Sequence, residues 1–90
     1  MGMTKRELAM LGKFETRISI TLVPVMKNKS LWWSMLVHTD RLSQQRIETA
    51  VGTEKVWQDA NKAIKFVQQT CPTVESIVVK LKLPEGSAEP

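Results

Sequence analysis

The sequence predicts an α+β domain with a single antiparallel sheet of about four strands and one long helix packed on one face, in the order α-β-β-β-α-β. Three observations carry that expectation. Apolar and polar residues alternate from Phe14 to Leu22 and again from Leu31 to His38, on either side of the polar turn Lys27-Asn28-Lys29-Ser30, which is the pattern of a half-buried hairpin. Between Val56 and Val67 the apolar residues recur at helical spacing instead. A last alternating run from Val74 to Leu83 follows Cys71-Pro72, where proline disfavours helical geometry in the residue before it.

Taken in order, Thr4 predicts a helix N-cap, with Glu7 closing a capping box and Met3 and Leu8 placed as a hydrophobic staple. Gly12 is the expected stop. In the first strand Phe14, Ile18, Ile20 and Leu22 point one way and Glu15, Arg17, Ser19 and Thr21 the other. Pro24 lacks a backbone N–H and is expected at an edge or bulge, where the strand bends and the apolar phase passes to Val23 and Val25. After a loop of four or slightly more residues, Leu31, Trp33, Met35 and Val37 share one phase of the second strand, opposite to Trp32, Ser34, Leu36 and His38. Adjacent tryptophans on a strand face opposite ways, so either Trp32 or Trp33 leaves the covered core.

Arg46 to Val51 predicts a short third strand ended by Gly52. Thr53 as N-cap and Glu54 in the first turn then open the long helix, which runs to about Thr70 with Val56, Trp57, Ala60, Ala63, Ile64 and Val67 as its apolar stripe. In the last strand Ile77, Val79, Leu81 and Leu83 face inward, with Ser76, Val78, Lys80 and Lys82 outward. Residues 1–83 form one domain and 84–90 a flexible tail.

The composition narrows the function classes. With 42% apolar and 24% charged residues the chain has globular usage, unlike a disordered segment. It carries no apolar run of the roughly 18 to 20 residues that span a bilayer, and no leader or lipid-attachment pattern, so a cytoplasmic protein without a membrane partner is expected. Cys71 is the single cysteine, which leaves no disulfide and no cysteine-based zinc site within one chain. At a helix C-terminus its thiolate is disfavoured, so it reads as a packing residue. His38-Thr39-Asp40 sets an imidazole near a carboxylate, yet no nucleophile is fixed beside them by spacing, and Asp40 reads as a turn residue. No glycine-rich phosphate loop or metal-ligand spacing is found. A non-enzymatic protein with no cofactor and no metal is the expectation.

The formal charge is +4, from 13 Lys and Arg against 9 Asp and Glu, which favours polyanions or acidic partners. Strand phase gathers Trp32, Arg17, Arg46, Lys80 and Lys82 on the outward side of the sheet, and Lys27 and Lys29 in the hairpin turn extend that footprint. An indole among cations suits single-stranded nucleic acid, since any base stacks on it while Lys and Arg neutralise phosphates. The same face suits a homo-oligomer or protein partner if Trp32 packs with Leu36, Val78, Val23 and Val25, and cover by the first helix is a further reading.

From Gly52-Thr53-Glu54-Lys55 through Ala60 and Ala63, and in its order of helix, three strands and helix, the chain resembles the double-stranded-RNA-binding domain. Where that family carries a lysine cluster this chain has Glu54, Val56 and Trp57, and a further strand follows the helix. The resemblance implies an RNA-facing helix start without supplying its cations.

Overall fold

A computed structural model describes residues 2–14 and 17–82. Its elements are β1 (Met3–Thr4), α1 (Lys5–Phe14), β2 (Ser19–Lys27), β3 (Ser30–His38), β4 (Gln45–Glu48), β5 (Val56–Trp57), α2 (Ala60–Thr70) and β6 (Val78–Val79). The α+β class stands, but the expected single antiparallel sheet of four strands does not. Among the described residues the sheet has six strands, ordered β1-β4-β3-β2-β6 with β5 also on β3, and two helices accompany it. Both outermost pairings, β1 with β4 and β2 with β6, are parallel. The reason is topological: α1 and α2 each carry the chain back across the sheet, so the strand after each helix runs the same way as the strand before it.

The capping box forms as expected. The backbone N–H of Thr4 donates to Glu7 Oε1 at 2.9 Å, and the Glu7 N–H donates to Thr4 Oγ1 at 3.3 Å. The bond from the Thr4 N–H, aided by its hydroxyl, holds the Glu7 carboxyl below the usual carboxylate range. A depressed folded-state pKa stabilises above the unfolded value and is lost as pH falls through the folded one. Independently of that titration, Thr4→Ala removes the N-cap oxygen that accepts from the Glu7 N–H and should lower unfolding stability by about 1 kcal/mol. The difference between the native chain and Glu7→Gln should shrink in acid, read by denaturant titration at both pH values.

Gly12 does not stop the helix, which runs on to Phe14. Gly12 instead permits close approach, because a Cβ there would lie 3.2 Å from Cys71 Sγ. The Cys71 thiol donates to the Leu8 carbonyl at 3.4 Å, and burial pushes its pKa up, which fits the packing role read from the sequence. Phe14, expected inward on the first strand, ends α1 and is 78% exposed. Its partner in that expectation, Glu15, lies outside the described residues.

The hairpin is tighter than expected. Lys27 pairs with Ser30, leaving only Asn28 and Lys29 in the turn, with φ of 52° and 64°. Two successive positive φ values are the type I′ geometry that matches strand twist. Pairing then runs without a bulge from Ser19↔His38 to Lys27↔Ser30, so the predicted bend and phase shift at Pro24 are absent. Pro24 is buried and continues the inward phase of Ile20 and Leu22, while Val23 and Val25 face outward. The missing N–H causes no loss because it points away from β3, toward the side where the Lys80 N–H reaches the Leu22 carbonyl. Nothing described pairs with β2 on that side beyond Leu22.

The third strand and helix start also differ. β4 ends at Glu48, and the chain leaves the sheet and returns to the same edge of β3 as β5. The excursion is pinned by Thr49 N–H to the Thr53 carbonyl (2.8 Å), Lys55 N–H to the Ile47 carbonyl (2.9 Å) and a Thr49–Thr53 hydroxyl bond (2.7 Å). Its turn needs a glycine, and Gly52 has φ 91°. Thr53 is thus occupied in this loop and caps no helix. Asp59 does so, accepting from the Asn61 N–H at 2.9 Å, and α2 ends at Cys71 as its following proline requires. The likeness to an RNA-binding helix start at Gly52–Trp57 therefore has no structural counterpart.

The last strand is only two residues long; Leu81, expected inward, is 84% exposed, and Leu83 and the tail 84–90 lie outside the described residues. Ile20, Leu22, Met35, Val37 and Ile47 meet Leu8 from α1 and Ala63, Phe66 and Val67 from α2 in one core. Both helices therefore cover the same side of the sheet. No described helix is long and apolar enough to cross a membrane.

Candidate functional site

Cross-strand pairing decides which tryptophan faces out. Trp33 lies opposite buried Pro24 and Trp57 and packs on the core, where the Trp57 and Phe66 rings are 5.1 Å apart. Trp32 lies opposite Val25 on the other side. The helix that sequence reasoning allowed over this tryptophan is on the wrong face to cover it, since Leu8 of α1 belongs to the core.

The open face is built by register. Ser19, Thr21, Val23, Val25 and Lys27 from β2 meet His38, Leu36, Ser34, Trp32 and Ser30 from β3, and Arg46, Val56 and Val78 extend these rows. Val23, Val25, Trp32, Leu36, Val56 and Val78 make its middle apolar, with all but Val78 partly buried by their neighbours. One polar node interrupts the strip. Ser34, 3% exposed, donates its hydroxyl to Glu54 Oε2 at 2.7 Å, and Arg46 Nε approaches the same oxygen at 3.6 Å.

The seven residues singled out by sequence are only partly brought together. Lys27 Nζ stands 5.5 Å over the Trp32 ring, a cation–π contact of about 0.5–1 kcal/mol at an exposed site. Lys29 is next to them in the turn. Arg46 is on the same face but four residues further along β3, roughly 13 Å away at strand rise, and it faces Glu54. Lys80 follows β6 beside Leu22 and Val23, with Lys82 exposed beyond it. Arg17 precedes β2 and lines a cleft of about 450 Å³ with Ser19, Thr73, Glu75 and Ser76. It does not join the tryptophan. The indole N–H of Trp32 is buried without an acceptor among the described residues.

His38 is exposed and lies across from Ser19, and Thr39 rather than Asp40 builds the turn after it, accepting from the Arg41 and Leu42 N–H groups at 3.2 and 3.0 Å. Among the described residues no three of His, Cys, Asp and Glu gather as metal ligands would.

Sequence reasoning missed Glu54 and Val56 as parts of this face because it placed both on a helix. The overlooked signal was Asp59, the stronger N-cap candidate, which would have released Glu54–Trp57 for the sheet edge. What results is an α+β domain with one helix-covered and one open sheet face. No protein-family model, curated protein or solved structure matches the chain.

Proposed function

We propose that this protein is a non-enzymatic binding module working through the open face of its sheet, and that the occupant is a second copy of the chain. The observation supporting this is the outward strip of Val23, Val25, Trp32, Leu36, Val56 and Val78, which neither helix covers. Burial of apolar surface contributes roughly 25 cal/mol per Å², and a contiguous apolar strip on a monomer marks an interface.

Size suits self-pairing. Long and middle dimensions of 40 and 26 Å give the broad side a footprint on the order of 1,000 Å², against about 800 Å² per partner in a stable complex. A two-fold axis lying between the faces and across the strands sets the Lys27 end of one copy over the Ser19 and His38 end of the other, an isologous arrangement in which the apolar middle of each face meets its own copy. Light scattering over a dilution series should give a dimer mass at micromolar concentration that falls on dilution. A monomer mass throughout would defeat the reading.

A second reading, single-stranded nucleic acid at the hairpin end, has its own support. Lys27 and Trp32 are in contact, and no carboxylate occurs anywhere on β2 or β3. Lys29 holds a left-handed conformation in which glycine is less strained. Lys29→Gly is expected to raise stability by about 1 kcal/mol, measured by thermal melts. If the hairpin end binds nucleic acid, the same variant weakens binding of a labelled oligonucleotide in fluorescence anisotropy and makes it less salt-dependent. Binding that is absent at low salt would leave self-pairing alone.

A further inference from the structure

The extension of α1 past Gly12 creates a surface that the sequence reading could not contain. Arg6, Met10, Lys13 and Phe14 fall within an arc of about 100° on the helix, opposite the buried Leu8. Met10 is 55% and Phe14 78% exposed, one turn apart. Arg6 stands before this apolar pair and Lys13 beside it, and Lys5 adds a third cation at the helix start. None of the three has an ion-pair partner among the described residues. The single acidic residue of α1, Glu7, has its carboxylate turned back onto the Thr4 N–H and hydroxyl. Next to the ridge an open cleft of about 650 Å³ is lined by Thr4, Lys5, Arg6, Ala9 and Ala50, so the aliphatic stems of the cations continue the apolar surface.

We propose that this ridge of α1 docks on an anionic lipid surface, with Met10 and Phe14 entering the acyl boundary and Arg6 and Lys13 against the headgroups. Charge complementarity calls for an anionic partner. Shape favours a planar, deformable one, because Met10 and Phe14 stand outward on the convex side of the helix, and protruding apolar residues flanked by long cationic stems are the pattern of an interfacial helix. The expectation of no membrane partner rested on the lack of a spanning segment and a lipid anchor, and a surface-bound helix needs neither. The ridge lies on the helix-covered side of the sheet, so a chain paired through its open face would present it twice, once from each copy.

The test is co-sedimentation of the full chain with phosphatidylcholine vesicles containing about a third phosphatidylserine, and with pure phosphatidylcholine vesicles. Binding is expected to the anionic vesicles only and to weaken sharply as salt shortens the screening length. Phe14→Asp should lower the apparent affinity by at least about tenfold, and Arg6→Gln with Lys13→Gln by a similar factor. Because these positions are exposed, circular dichroism should show the fold unchanged. Lys62→Gln with Lys65→Gln, on the exposed side of α2, should leave binding as it was. No sedimentation with anionic vesicles, equal sedimentation with neutral ones, or indifference to Phe14→Asp would each overturn the proposal. Binding of an acidic protein by the same ridge without vesicle binding would do so too.

Discussion

Trp32→Asp should leave the monomer folded and raise the dimer dissociation constant by at least about a hundredfold. Trp32 lies near the hairpin end of the open face, flanked by Val25 across the strand pair, with Lys27 over its ring. Tryptophan is the residue type most enriched among those that dominate interface energies. Aspartate removes that area and places an unpaired charge where a second copy would have to desolvate it. Leu36→Asp, on the same strand and face, should act in the same direction. Sedimentation equilibrium measures both, with circular dichroism to establish that the variants fold. A Trp32→Asp chain that still dimerises would move the interface elsewhere.

Much of the face was legible in the sequence, for a physical reason that also explains what was not. Inside a long strand, side-chain direction alternates without exception, so once β2 and β3 exist the outward set Ser19, Thr21, Trp32, Ser34, Leu36 and His38 follows from counting. The capping box Thr4–Glu7 and the stop at Cys71-Pro72 were equally readable, because both are local chemistry. Elements shorter than one period were not. β1, β5 and β6 are two residues each, too few to show alternation, and they exist because an open edge of β2, β3 or β4 accepts them.

At Gly12 and Pro24 the tertiary structure overrides what a single residue predicts locally. Gly12 by itself predicts a helix stop but serves the close approach of Cys71, and Pro24 predicts a bend but places its missing N–H on the unpaired side of β2. Among the cations, charge alone could not separate Lys27, which stands over Trp32, from Arg46, which faces Glu54. That distinction depends on the excursion between β4 and β5 returning Glu54 to Ser34, a contact no local pattern encodes.

For stability, the largest effect is expected from the inner side of β2. Leu22 is completely buried, lies opposite the equally buried Met35, and pairs with Val79 on its other edge. Leu22→Ala should therefore lower the unfolding free energy by about 3 kcal/mol, within the range of 2 to 5 kcal/mol seen when buried Leu is truncated. Partial collapse of the cavity would put the value at the low end, and three features oppose collapse. The register of β2 on β3 is fixed along nine residues of each strand. Pro24 is rigid two residues away. The Leu22 carbonyl is held by the Lys80 N–H at 2.9 Å, so the backbone cannot sink into the void without breaking the parallel edge. A loss of this size is a large part of the 5 to 15 kcal/mol that a small domain commands, and urea titration should show a lower midpoint with an unchanged slope. Val51→Ala, at the 84% exposed tip of the excursion, should change stability by less than about 0.5 kcal/mol. If Leu22→Ala proved as mild as Val51→Ala, Leu22 would not be in the core and the inward phase of β2 would be misassigned. The assignment of Val23, Val25 and Trp32 to the open face would then fail with it.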